Sequence, residues 1–297
     1  RDSDVLLLLL TFLKKMKMLD NISSKIELHN GYKMPGLGLG VYKADNGEEI
    51  NNAIAAALET GYRLIDTATF YGNEKGVGEA IRKSGIPRKE IFITSKLWIE
   101  DQGIETTRKA FEETLERMEL NYLDLYLIHW PRPGKYLESW KVLQELYEEG
   151  KIKAIGVCNC MIHQLESIKE LGGVQPMVLQ NEFHPKLIQQ DILDYCKKNR
   201  IRYQAWSPLM RGEILENELI GNIAEKYGKS EAQIVIRWDL QKGVATIPKS
   251  VHKQRIQENA DVFDFELTAD EVAKIDDLED NTRTGAHPDT FMEEMDL

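Results

Sequence analysis

Cysteine is scarce in this chain, with only Cys158, Cys160 and Cys196 among 297 residues and no Cys-x-x-Cys pair. An odd set of this kind builds neither a disulfide framework nor a zinc site. The His-Glu-x-x-His arrangement of zinc hydrolases is missing too. No metal is therefore expected, and a reducing cytoplasm is the expected compartment. Positive charge is also in deficit. Lys and Arg number 38 against 49 Asp and Glu, a formal net charge of −11. That argues against broad binding to nucleic acid or to anionic membranes, and it leaves room for a local basic pocket. No apolar run approaches the roughly 20 residues that span a bilayer. The run Val5 to Leu10, continued by Thr11-Phe12-Leu13, has Asp2 and Asp4 before it and Lys14, Lys15 and Lys17 after it. A secretory leader carries its positive charge first. Residues 1–22 are expected to be an extension outside the fold, with the natural start at Met16 or Met18 and a weak peripheral anchor as the lesser alternative.

Hydrophobic residues at 42% and charged residues at 29% describe a folded chain, and residues 23–297 read as one domain without a Pro-, Gly- or Ser-rich linker. A small hairpin opens it, with Ile26-Glu27-Leu28 and Lys33-Met34 joined by Asn30-Gly31, a pair that favours tight reversal. Strand and helix then alternate. Strands are expected over 36–41, 62–65, 91–95, 123–128, 152–157, 177–180, 202–206 and 244–247. Helices are expected over 48–60, 74–84, 104–119, 136–149, 162–171, 189–198, 219–227, 231–241, 253–260 and 269–278. Such alternation implies a parallel sheet. Eight units in about 250 residues fit a closed (β/α)8 barrel, a TIM barrel with an N-terminal β-hairpin. The competitor is a doubly wound dinucleotide fold, which needs Gly-x-Gly-x-x-Gly after its first strand. Gly36-Leu37-Gly38-Leu39-Gly40 and Gly76-Val77-Gly78 both fail that spacing, so the barrel is favoured.

In a barrel of this kind, chemistry gathers at the C-terminal ends of the strands. There the sequence Tyr62-Arg63-Leu64-Ile65 runs into Asp66 and Tyr71, Ile91-Phe92-Ile93-Thr94-Ser95 into Lys96, and Leu123 to Ile128 into His129. A free phenol has a pKa near about 10 and is a poor acid at neutrality; a nearby ammonium is expected to lower it. A carboxylate keeps that ammonium charged and aimed, and an imidazole orients a substrate oxygen. Together they make a general acid for a carbonyl that accepts a hydride, and the hydride must come from a cofactor, since no side chain supplies one. Each residue has an ordinary reading alone: Asp66 as a helix cap, Tyr71 as packing, Lys96 as a solvated cation, His129 as a structural ring. Four of them at consecutive strand ends favour a site.

These segments resemble the aldo-keto reductase family over nearly everything from Lys25 to Phe291. The run Gly61 to Ala68 with Tyr71, Gly72, Asn73 and Glu74 is similar to its first signature. Leu123 to Pro131 is similar to its central strand, and Ile247-Pro248-Lys249-Ser250 with Arg255, Glu258 and Asn259 to its last signature. The resemblance implies an NADPH-binding barrel that reduces aldehydes and ketones. It implies Tyr71 as proton donor, Lys96 and Asp66 as the pair that tunes it, and His129 as the group orienting the carbonyl. A branch that reduces carbon–carbon double bonds carries Glu at that histidine, so carbonyl reduction is expected. Further implied contacts are Cys158, Asn159 and Gln180 at the nicotinamide carboxamide, Trp206 stacked on the ring, and Ser207 and Leu209 along the pyrophosphate. Lys249, Ser250 and Arg255 would hold the 2′-phosphate, which favours NADPH over NADH, and Glu258 and Asn259 the adenine. The family usually has Ser where this chain has Cys158, a weaker donor, so looser nicotinamide positioning is expected.

Tyr42, Trp98 and Trp130 occupy the family's positions for aromatics at the pocket mouth, and His287-Pro288-Asp289 with Phe291 is a candidate edge of that pocket. The short stretch Pro131 to Lys135 resembles microbial members acting on small sugars, diketones and dicarbonyls, the diketogluconate reductase and prostaglandin F synthase-like branch. The expected protein is a cytoplasmic, monomeric NADPH-dependent aldehyde or ketone reductase of small carbonyl substrates, with no nucleic-acid or membrane partner. The alternatives are a cofactor-binding regulatory barrel with little turnover and, more weakly, a non-redox barrel enzyme.

Overall fold

The computed structural model describes residues 19–294. A hairpin of β1 (Lys25–Glu27) and β2 (Lys33–Pro35) precedes eight strands: β3 (Leu39–Gly40), β4 (Leu64–Asp66), β5 (Phe92–Leu97), β6 (Leu123–Ile128), β7 (Ile152–Cys158), β8 (Val178–Glu182), β9 (Arg202–Trp206) and β10 (Ala245–Thr246). Each of the eight pairs in parallel with the next. The helices are α1 (Glu48–Thr60), α2 (Glu74–Lys83), α3 (Ile104–Met118), α4 (Tyr136–Glu148), α5 (Ile162–Leu171), α6 (Gln190–Lys198), α7 (Glu218–Tyr227), α8 (Glu231–Gln241), α9 (Lys253–Ala260), α10 (Ala269–Asp276) and α11 (Phe291–Glu294). The sheet closes where Gly38 N–H donates to Thr246 O at 3.0 Å and Thr246 N–H to Gly36 O at 2.9 Å. The expected (β/α)8 barrel and its hairpin are present.

The closing seam explains the Gly-Leu-Gly-Leu-Gly run. A Cβ on Gly38 would sit 2.3 Å from a Leu64 methyl, and one on Gly40 would sit 2.8 Å from Ile247 O. The run serves close strand approach where a phosphate fingerprint was excluded. Of the stretch expected over 36–41, β3 keeps regular ladder geometry only at Leu39 and Gly40. Several helix ends have a local cause. Gly61, at φ 110°, ends α1 by returning its N–H to the Ala57 and Leu58 carbonyls. Ser230 with Gln233 and Thr268 with Glu271 form capping boxes on α8 and α10.

The hairpin closes the barrel floor. Leu28 and Met34 join Leu64, Phe92, Leu125, Leu127 and Val178 in the interior cluster, each such burial contributing about 1.5–3 kcal/mol. Tyr32 ties the hairpin down by donating its hydroxyl to Asp124 Oδ1 at 2.5 Å. The other oxygen of Asp124 accepts from Ile93 N–H at 2.9 Å and pairs with Arg88 at 2.7 Å, which explains a carboxylate inside a buried strand. With the floor sealed, the opposite end is the open one.

Against the expected boundary at residue 23, the packed unit already includes residues 19–22. Leu19 lies buried in the core with Ile22 packed on the same cluster, and Arg237 donates to Leu19 O at 3.4 Å. The rest of the expected extension, residues 1–18, lies outside the described residues.

Asp239 of α8 is fully buried against β10, and neither of its oxygens has a hydrogen-bond partner among the described residues. Burial pushes its carboxyl well above the usual range, with Thr246 and Lys242 opposing. A carboxyl raised in the folded state stabilises fully below its unfolded pKa of about 3.9 and loses that contribution as pH rises toward the folded value. Asp239→Asn removes the titration. Denaturant melts across pH should show the parent losing up to about 1.4 kcal/mol per pH unit above about pH 4, and the variant holding flatter and ending more stable at neutrality. Parallel curves would show that Asp239 is not the group responsible.

Candidate active site

Three strand ends bring the proton-handling groups together at the open mouth. Asp66 closes β4, Lys96 lies near the end of β5, His129 follows β6, and Tyr71 stands at the end of the single turn Thr69–Tyr71. Lys96 is wholly buried and donates to Asp66 Oδ1, to Thr67 O at 2.8 Å and to Tyr71 Oη at 3.4 Å. Burial acts to lower its ammonium, and the Asp66 carboxylate, aided by Tyr71 and Cys158, outweighs this and holds Lys96 above the lysine range. Burial likewise raises the Asp66 carboxyl, with Lys96 and Gln180 working against it.

Tyr71 departs from expectation. Burial pushes its phenol up to about 12, with the lowering by Lys96 only a partial offset. The phenol therefore holds its proton at neutrality. His129 is driven well below the usual imidazole range by burial and by Lys96, so its ring is neutral. Nδ1 is buried without a partner among the described residues, and the ring stands edge-on to Tyr71 at 5.8 Å and to Trp98 at 5.2 Å.

Next to these groups, the later strand ends form a polar shelf. Asn159, held at φ 53°, donates from Nδ2 to His129 O at 2.9 Å and accepts from Trp206 Nε1 at 2.8 Å. Gln180 donates from Nε2 to Asp66 Oδ2 and to Gln204 Oε1, both at 2.8 Å. Its Oε1 is left facing the Cys158 thiol at 3.8 Å. Cys158 itself is fully buried in the barrel interior, and burial raises its thiol well above the usual range. Its reach toward the shelf runs through Gln180.

Beyond Trp206, Ser207 sits in the left-handed region at φ 53° and Leu209 is partly buried on the core. The track ends beside the closing seam, where Lys249 bridges to Gly40. Lys249 and Arg255 are exposed, and neither enters an ion pair among the described residues. Two unneutralised cations at the start of α9 suit a phosphate dianion. Ser250 and Asn259 are buried, and Glu258 is exposed and accepts from Ser230 Oγ at 2.5 Å.

Residues 36–280 match the profile of the Aldo/keto reductase family. The chain belongs to this family. It is 53% identical over 272 residues to glyoxal reductase of Bacillus subtilis (strain 168), covering 92% of this chain and 99% of that protein. To methylglyoxal reductase DkgA of Escherichia coli (strain K12) it is 46% identical over 270 residues, covering 90% of this chain and 97% of the relative. The fold superposes with a TM-score of 0.86 on the crystal structure of a Gox0644 mutant in complex with NADPH, 43% identical, covering 90% of this chain and 98% of that one.

The mouth of this aldo-keto reductase is heavily aromatic. Tyr42 is 42% exposed, with its ring 4.9 Å from Tyr71. Trp130 is buried, stacked at 3.9 Å on Phe291 within a cluster of Ile99 and Met292. It shapes the wall mainly by packing. Sequence reasoning missed Phe70, which is 51% exposed and stacks on Trp98 at 4.0 Å. Its signal was available: a large apolar residue directly before the candidate acid, in a turn at a strand end. Gln204, which fixes the orientation of Gln180, carried no such signal.

Proposed function

We propose that this chain reduces small carbonyl compounds, α-dicarbonyls such as glyoxal and methylglyoxal foremost, to alcohols with NADPH. The single observation that carries the reading is Tyr71 Oη at 3.4 Å from Lys96 Nζ, itself locked to Asp66, with a neutral His129 beside it. When bound, NADPH supplies the hydride that the carbonyl carbon takes up. Tyr71 gives the oxygen its proton, His129 orients that oxygen through a neutral ring, and Lys96 with Asp66 steadies the charge left on the phenol. Asn159, Gln180 and Trp206 would hold the nicotinamide, with Cys158 supporting Gln180. Ser207 and Leu209 would follow the pyrophosphate, Lys249, Ser250 and Arg255 the 2′-phosphate, and Glu258 and Asn259 the adenine. Tyr42, Phe70, Trp98 and Trp130 form a compact aromatic mouth suited to small substrates. The dicarbonyl preference is supported by what the bacterial relatives are named for.

A regulatory barrel with little turnover is not favoured, and the proximity of Tyr71, Lys96, Asp66 and His129 at one strand-end cluster supports turnover. Monomeric, cytoplasmic operation without a nucleic-acid partner is part of the same proposal. The net charge of −11 supports the absence of a nucleic-acid partner, and three buried free cysteines support a reducing compartment.

Turnover read by nicotinamide absorbance tests both cofactor and substrate. The parent should oxidise NADPH with glyoxal and methylglyoxal. Lys249→Met with Arg255→Met should raise the KM for NADPH by about 10- to 100-fold, the loss of one or two charge-assisted hydrogen bonds, and leave that for NADH nearly unchanged. No NADPH oxidation with any small aldehyde or dicarbonyl overturns the reading.

A further inference from the structure

After α10, the chain returns across the open mouth of the barrel, and one buried carboxylate holds it there. Glu182, the last residue of β8, is 1% exposed. Its Oε1 accepts from Thr284 N–H at 2.5 Å and from the Thr284 hydroxyl at 2.6 Å. Its Oε2 accepts from Gly285 N–H at 3.2 Å. Fully buried His184 adds Nε2 at 3.0 Å from Oε1, which leaves Nδ1 unpartnered among the described residues. Four donors fill the roughly four acceptor sites of one carboxylate. Burial acts to raise this carboxyl, and the donors from His184 and Thr284 outweigh it and hold it below the usual range.

What the clamp holds is Gly285 against an indole. A Cβ on Gly285 would fall 2.5 Å from Trp206 Cη2 and 3.3 Å from Cζ3. Gly285 is not among the left-handed glycines, so the ring, and not the backbone conformation, excludes a side chain there. The Thr284 hydroxyl lies 3.2 Å from Ser207 Oγ, fixing the tail to the residue that follows Trp206. Trp206 is thereby held at two places. Asn159 takes its Nε1 at 2.8 Å, and the tail backs its six-membered ring. The same tail continues to Asp289, 2.7 Å from His163, and to Phe291 on Trp130.

We infer that Glu182 is a positioning residue for the cofactor: by clamping Thr284 and Gly285 it sets the angle at which the Trp206 indole meets the nicotinamide. This rests on the reading of Trp206 as the nicotinamide platform. Neither Glu182 nor Gly285 reaches the reacting atoms; both act through the ring. The clamp makes the C-terminal segment part of the cofactor site as well as an edge of the substrate pocket.

The experiment is NADPH titration and steady-state kinetics on the full chain carrying Glu182→Gln, Gly285→Ala, Trp206→Ala, Trp206→Tyr and the double variants. Glutamine at 182 turns an amide donor toward the Gly285 N–H. Glu182→Gln and Gly285→Ala should each weaken NADPH binding about tenfold, and together little more than either alone, since they act through one contact. The decisive arm is rescue. Tyrosine at 206 has no atom at the Cη2 position, so Gly285→Ala in the Trp206→Tyr background should bind NADPH within about twofold of Trp206→Tyr itself. A general loss of structure would not be relieved by shrinking one ring. Parent-like NADPH affinity in Gly285→Ala, or equal losses in both backgrounds, overturns the clamp. If Glu182→Gln does not fold, the Gly285 and Trp206 pair decides alone. Unchanged affinity in Trp206→Ala removes the platform reading itself; weakened binding in Trp206→Ala beside unaffected Gly285→Ala removes only the clamp.

Discussion

Tyr71→Phe is expected to lower kcat for dicarbonyl reduction by about 10²- to 10⁴-fold, the usual contribution of a positioned general acid, with NADPH affinity within about twofold of the parent. The variant is clean in structural terms. Among the described residues the phenol oxygen has one hydrogen-bond partner, Lys96 Nζ at a long 3.4 Å. Removing the oxygen leaves Lys96 bonded to Asp66 and Thr67 O, so two of its three N–H donors keep their acceptors and only the longest bond is lost. The ring keeps its packing on Tyr42 at 4.9 Å and His129 at 5.8 Å. A loss of rate is then a loss of the proton. The pH profile of the parent follows from the same groups. The phenol is pushed up to about 12 and the imidazole well below its usual range, so neither changes charge near neutrality. Reduction should run level from about pH 6 to 9. Parent-like turnover in Tyr71→Phe, or a bell centred near neutrality, would assign the proton to another group.

The site was legible in the sequence where local pattern and chemistry coincide. Asp66, Lys96 and His129 each end a short apolar run, and a closed barrel carries such ends to one mouth. What stayed hidden depends on partners distant in the chain. Glu182 looks like any strand-end acid until Thr284 and Gly285, about a hundred positions later, meet it. Gln204 reads as a polar residue in a strand until register sets it beside Gln180. The glycines at 36–40 could be read only negatively, as a failed fingerprint, because the reason for them is contact with Leu64 and Ile247 across the seam. The phenol's rise has the same origin. A lysine nearby in sequence logic argues for lowering, and only the packed structure shows that burial outweighs it.

Lys96→Met should destabilise the fold by about 3–5 kcal/mol, the usual result of removing one partner from a buried ion pair. Lys96 is wholly buried and Asp66 is 1% exposed. Without the ammonium, Asp66 keeps only Gln180 as a donor among the described residues, at 2.8 Å, and its carboxyl, already raised by burial, rises further. A carboxyl raised in the folded state contributes stability below its unfolded pKa and loses it as pH climbs. The loss in Lys96→Met should therefore be small near about pH 4 and grow toward neutrality, which denaturant titrations at several pH values measure directly. Adding Asp66→Leu removes the stranded charge and should recover most of the stability, since apolar replacements of buried pairs are often neutral or better. Turnover should not return, because nothing is left to steady the phenolate of Tyr71. Stability and activity would thus separate at one pair of side chains. The pair is then kept for proton transfer, and the fold tolerates it because four hydrogen bonds — to Thr67 O, Tyr71, Gln180 and between the two charges themselves — offset the desolvation of both ions. A double variant as unstable as Lys96→Met would mean that the lysine's own contacts, and not the stranded carboxylate, set the loss.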